Sequence, residues 1–159
     1  MPNNPKSTAQ IAGHPIHPML IPLPIASLIG ACATDLAYWG TKNAFWAEAS
    51  LWLIGAGVVT ALVAALAGFA DFFGEERIRD LSHAWYHMLG NLAAVVVAIG
   101  SFWLRYTRGV EAAVLPWGLV LSLVTVGLLL FTGWCAGEMI YLHRVAVADR
   151  VEEIPNSRR

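Results

Sequence analysis

A chain of 159 residues in which 57% are apolar and only 13% charged, with seven tryptophans and a mean hydropathy of +0.58, is far from a soluble domain, where about a quarter of residues carry charge. A net charge of −1 and the lack of a basic cluster argue against nucleic acid as a partner. The composition is that of a membrane chain, and a bilayer core of about 30 Å takes roughly 20 apolar residues as helix.

In chain order, the start "MPNNPKSTAQ" has one lysine and no small-residue cleavage pattern behind a short apolar core. It therefore reads as a retained polar tail, residues 1–13, rather than a removable signal. "GHPIHPMLIPLP" follows, and in it His14 and His17 each precede a proline. Proline disfavours helix in the residue before it, so an extended polyproline-type segment repeating every three residues is expected, with both imidazoles pointing the same way. The first span is expected at about 19–39, and "WGTKNAF" is a short turn into the second, at about 47–70. Gly57, Ala61, Ala64 and Gly68 form a small-residue stripe on that span, which suits close approach of a neighbouring helix or of a flat cofactor. Asp71 lies at its end, and Asp80 or Ser82 suits the cap of the third span, at about 87–104. In "HAWYH", His83 and His87 are four apart and share a helical face that Asn91 extends. Pro116 suits the first turn of the fourth span, at about 114–137, where Gly133 and Gly137 precede Glu138 and His143. The tail "DRVEEIPNSRR" is charged and expected to be mobile. Cys32 and Cys135 lie in different spans near opposite faces and form no CxxC motif, so no disulfide is expected.

Four spans divide the chain into a transmembrane domain, residues 14–145, between the tail 1–13 and the tail 146–159. The fold class is all-α, an integral membrane four-helix bundle running antiparallel, up-down-up-down. Both termini share one side, A. Side A holds Lys6, Arg77, Arg79, Arg144, Arg150, Arg158 and Arg159, and side B holds Lys42, Arg105 and Arg108. The excess of basic residues puts side A, and both termini, in the cytoplasm.

His14, His17, Asp71, His83, His87, Glu138 and His143 all fall at side A ends. An antiparallel bundle gathers them into one layer, in which His17, His87, Asp71 and Glu138 are expected to share a pocket. Toward side B, Asp35 and Arg105 stand 18 residues, or five helical turns, beyond His17 and His87 respectively. They are candidates for a structural tie between spans one and three.

"GHPIHPMLIPLPIASLIGACATDLAYW", "AALAGFADF", "HMLGN" ending in "FWLR", and "GWCAGEMIYLHRVAV" together resemble the bacterial membrane family known as domain of unknown function 2231, over about residues 13–147. The family pattern carries over onto His14, His17, Pro24, Asp71, His87, Asn91, Arg105, Glu138 and His143, but not onto His83. The resemblance implies a four-helix integral membrane protein of the bacterial inner membrane. Relatives fused to Rieske iron–sulphur or other redox domains hint at electron transfer; this chain contains no such domain.

Three functions compete. The first is a membrane cytochrome holding a b-type haem near side A, with His17 and His87 as axial ligands, His14 and His143 nearby, and Arg77, Arg79 or Arg144 meeting the propionates. Its partner would be an iron–sulphur or cytochrome protein. The second is a non-haem zinc, iron or copper site drawn from His14, His17, His83, His87, His143, Asp71 and Glu138. The third is a cofactor-free scaffold subunit, as part of a larger complex or a homo-oligomer. No hydrolase or phosphate-binding motif is present. Polar groups gathered at one end outline no transport path.

Overall fold

The computed structural model describes residues 4–147. It contains four helices long and apolar enough to cross a membrane: Ile16–Thr41, Ala44–Gly74, Ser82–Arg108 and Val110–Tyr141. The expected four-helix, all-α architecture is present, and every span runs beyond the apolar core read from the sequence. The tail expected to be mobile, with Arg150, Arg158 and Arg159, lies outside the described residues.

The proline-rich entry departs from expectation. Gln10–Ile11 (β1) pairs antiparallel with His14–Pro15 (β2), and the chain then turns into helix α1, Ile16–Leu20. Only His14 is extended, while His17 is already helical. Pro18 occupies the first turn, where a missing N–H breaks no bond, so the preference of a pre-proline residue for extended backbone is overridden. The two imidazoles do not point the same way. Pro22 and Pro24 remove two donors from the next turn, separating α1 from α2, Pro22–Thr41, in an otherwise continuous rod.

Lys42, in the left-handed region at φ 54°, ends α2. Asn43 Oδ1 accepts from the Phe45 N–H at 3.0 Å and starts α3, Ala44–Gly74. At 31 residues α3 is about 46 Å long, so it overshoots the apolar core on both sides. A short helix α4, Glu76–Arg79, lies between α3 and α5, Ser82–Arg108. Neither Asp80 nor Ser82 caps α5. Leu81 does so with backbone alone, because Asp80 ends α4 through its own N–H, and Phe72, Ile78 and Ala84 pin this connection by burial.

Gly109, at φ 88°, opens the last connection. Helix α6, Val110–Ala113, passes into a π-helical turn, Val114–Gly118, and then α7, Leu119–Tyr141. Leu115 sits extended ahead of Pro116, as the proline ring dictates. Pro116 therefore marks a break inside the fourth span, and not its first turn.

Helix α2 packs on α3 and α7, and α5 packs on α7 and α3, which leaves α2 facing α5 across the bundle axis. The interior holds polar side chains among its apolar ones, while large apolar side chains face outward. Asp35, Ser50, Ser101, Arg105, Ser122, Thr125 and Thr132 are buried, while Trp39, Trp52, Trp103, Trp117 and Trp134 are exposed. This inside-out partition suits a lipid surround that satisfies no hydrogen bonds. Midway, Leu28, Ala31, Ile54 and Ala98 form an apolar layer with Leu129 and Phe102.

Close helix approach depends on glycine. A Cβ at Gly57 would lie 2.8 Å from Leu28, and one at Gly90 would lie 2.5 Å from Thr132 Cγ2. Gly90→Ala is expected to force α5 off α7 and cost about 1–3 kcal/mol, read as a lower unfolding midpoint in detergent. Unchanged stability would show that this contact is slack.

Candidate functional site

The side A end of the bundle axis holds two imidazoles. His17 comes from α1 and His87 from the first turns of α5, and their ring centroids lie 6.2 Å apart with the planes at 86°. Both rings are fixed the same way. His17 Nδ1–H donates to the Ala64 carbonyl at 2.9 Å, and His87 Nδ1–H donates to the Thr132 carbonyl at 2.9 Å. A carbonyl can only accept, so in the neutral rings each Nε2 keeps its lone pair. Metal-ligating histidines are commonly oriented by a carbonyl in this manner.

Asn91 completes the layer. Its amide Nδ2 donates to the His87 carbonyl at 2.9 Å and to His87 Nε2 at 3.1 Å, while its Oδ1 accepts from Thr132 Oγ1 at 3.1 Å. The small-residue stripe of α3 serves span one. Gly57 receives Leu28, Ala64 offers its carbonyl, and Gly68 lies against the His17 ring, where a Cβ would come within 3.0 Å.

The other expected members of this layer lie elsewhere. Asp71 binds the N-terminal segment. Its Oδ1 accepts from Ser7 Oγ at 2.8 Å, Thr8 N at 2.7 Å and Ala9 N at 2.8 Å. Thr8 Oγ1 also donates to the Ala70 carbonyl, at 2.7 Å. The polar tail is thus tied to the end of α3, and the Ala146 N–H donates to the Pro5 carbonyl at 2.9 Å. Asp71→Ala is expected to release this segment, read as faster amide exchange and proteolysis over residues 4–15. Wild-type protection would show that Asp71 does not hold it.

His14 is exposed, with Nδ1–H donating to the Ala12 carbonyl at 3.0 Å. His83 and His143 form a separate pair nearer the surface, with centroids 6.5 Å apart. Glu138 lines a recess of α7 with Gly133, Trp134, Gly137, Tyr141 and Leu142, where Trp134 and Tyr141 are largely exposed. The shared pocket of His17, His87, Asp71 and Glu138 is therefore not formed as expected: only the two histidines meet. Among the described residues no group of three or more His, Cys, Asp or Glu is placed to hold a metal ion.

The arginines of this end are mostly engaged. Arg77 Nε lies 2.9 Å from Glu75 Oε1, and that guanidinium holds the Glu75 carboxyl down to about 2. Arg79 donates to the Phe73 carbonyl and lies 3.6 Å from Glu76. Arg144 is exposed, with a left-handed backbone at φ 53°.

At the opposite end the expected tie is present. Arg105 Nη2 donates to Asp35 Oδ2 at 2.7 Å, and both side chains are fully buried. Ser122 Oγ donates to the same Oδ2 at 2.6 Å, and Ser50 Oγ donates to the Ala31 carbonyl one turn away. Spans one and three therefore meet twice, at ends about 27 Å apart by helical rise. The sequence reading missed Thr132, Ser101 and Ser122. Ser122, Thr125 and Thr132, at spacings of three and seven in an apolar span, are the helical-face signal that points to two of them.

In comparison with known proteins, the family described as predicted membrane protein (DUF2231) matches residues 13–149. No curated protein and no solved structure matches at a significant level.

Proposed function

Because the chain belongs to the DUF2231 family of predicted membrane proteins, a description that carries no activity, its function has to be read from its own residues, and we propose that it is a cytochrome-like electron-transfer protein holding a b-type haem between His17 and His87. The observation that carries this reading is the spacing of the two imidazoles. Two imidazoles that share one metal through Nε2, with metal–nitrogen bonds of about 2 Å, would stand with ring centroids about 6 Å apart. The centroids of His17 and His87 are 6.2 Å apart. When bound, haem supplies a one-electron couple.

The chain's own residues supply the rest. The Ala64 and Thr132 carbonyls hold the rings by Nδ1–H, so each Nε2 carries the lone pair that a metal would need, that of His87 accepting from the Asn91 amide. The stripe of α3 keeps backbone close to the His17 ring through Gly68. Arg144, exposed at the same end, is the side chain that would meet a propionate. The partner is a redox protein, of iron–sulphur or cytochrome type, approaching side A.

A second reading, the cofactor-free scaffold subunit, is favoured by the Asn91 amide, which lies 3.1 Å from the His87 Nε2 that iron would need. Ligation requires that amide to turn away. A non-haem zinc, iron or copper site finds less support, since Asp71 and Glu138 bind or face other groups.

An absorption spectrum of detergent-solubilised protein expressed with ample haem, with elemental analysis, tests the assignment. A Soret band with iron at one per chain is the expected result. Stoichiometric zinc, copper or iron without a Soret band favours the non-haem site, and neither favours the scaffold.

Orientation follows from charge in the bacterial inner membrane. Arg105 is buried in its ion pair and cannot count as a loop charge, which leaves Lys42 and Arg108 on side B against Lys6, Arg77, Arg79, Arg144, Arg150, Arg158 and Arg159 on side A. The stronger bias puts side A and the haem toward the cytoplasm. A reporter fused after Val147 should be active only inside the cell.

A further inference from the structure

We propose that the Asp35–Arg105 pair is a buried water-binding site. The pair is incompletely satisfied by protein. Asp35 Oδ1, Arg105 Nε, Arg105 Nη1 and Ser101 Oγ are all buried without a protein hydrogen-bond partner, and Asp35, Arg105 and Ser101 are each fully buried. Ser101 and Arg105 are four residues apart on α5, so their polar atoms share one helical face.

The site is closed by the last connection of the chain. Gly118, in the π-helical turn, lies against the guanidinium, and a Cβ there would come within 3.0 Å of Nη1 and Nη2 and 2.6 Å of the Ala113 carbonyl. Val114, beside it in the same turn, is fully buried.

The chemistry of the unpartnered atoms selects the ligand. Arg105 Nε–H and Nη1–H require acceptors, Asp35 Oδ1 requires a donor, and Ser101 Oγ can be either. An anion would meet the guanidinium but also the Asp35 carboxylate 2.7 Å from it, and a cation would meet the reverse conflict. Water is neutral, accepts from the guanidinium and donates to the carboxylate. Several polar partners within one site are what ordered internal water needs. Water here links spans one and three beyond their single direct Nη2–Oδ2 bond.

The test uses the whole chain in lipid nanodiscs with arginine and alanine labelled by nitrogen-15, its Arg105 signals assigned by their loss in Arg105→Lys. Polarisation transferred from water is expected to reach Arg105 Nε–H faster than it reaches the Ala94 and Ala98 amides of the apolar layer. Ser101→Ala, which leaves space, should preserve that transfer, while Ser101→Val, which puts two methyl groups against the site, should weaken it about tenfold. No transfer to Arg105 Nε–H in the wild-type protein would overturn the proposal, whether or not Ser101→Val folds. Arg105 signals that move with chloride concentration would also overturn it, assigning the site to an anion.

Discussion

Asp35→Ala is expected to lower stability by about 3–5 kcal/mol, because it leaves a fully buried guanidinium without its counter-charge. The substitution removes the acceptor of two bonds, the 2.7 Å contact from Arg105 and the 2.6 Å contact from Ser122. Arg105→Ala should cost a similar amount by stranding the carboxylate. Asp35→Asn should cost less, since its amide keeps an oxygen for Ser122. The loss is not the net worth of the pair: Asp35→Leu combined with Arg105→Met fills similar volume with no charge to desolvate and is expected to recover much of it. Denaturant unfolding in mixed micelles, followed by helical signal, reads all four. If Asp35→Ala unfolds at the wild-type midpoint, the pair is not a tie between spans one and three.

His17→Ala or His87→Ala is expected to abolish the low-spin haem spectrum, because bis-imidazole ligation needs both nitrogens. Asp71→Ala and Glu138→Ala should leave that spectrum in place, since neither carboxylate reaches the two rings. In a non-haem site the carboxylates would be ligands, and losing either would lower metal content about as much as losing a histidine. Asn91→Ala separates haem from the cofactor-free layer. With haem bound, the amide has already turned away from His87 Nε2, and its loss spares binding. In a cofactor-free layer it breaks the bonds to His87 and leaves Thr132 Oγ1 without its 3.1 Å partner, lowering stability by about 1–3 kcal/mol with no spectral change. A haem spectrum that survives both histidine substitutions would sink the assignment of the axial pair.

The sequence by itself determined the four spans, the all-α class and the register of span one against span three. Span length follows from apolar composition and bilayer thickness. Register follows because a helix is rigid over five turns, so the 18-residue spacings His17 to Asp35 and His87 to Arg105 place two polar contacts at matching heights whatever the loops do. Those two contacts were therefore legible.

Only the tertiary structure decided which side chains at side A meet. Height along the axis gathers residues into a layer, but the rotation of each helix selects whether a side chain faces the axis, a loop or lipid, and that rotation is set by packing of all four spans together. Glu138 lies more than a turn beyond Thr132, the residue of α7 that meets His87, in a recess of α7 beside exposed Trp134 and Tyr141. Asp71 is drawn to Ser7, Thr8 and Ala9, more than 60 residues away in sequence, by a chain reversal at Ala12 and Gly13 in which both have positive φ. No periodicity in α3 encodes that partner. The caps at Leu81 and the break at Leu115 escaped for a related reason: local propensity favoured Asp80, Ser82 and a helical start at Pro116, while burial of Ile78 and Val114 fixed where the chain had to turn. Local patterns set each helix, and the shared interior set its angle.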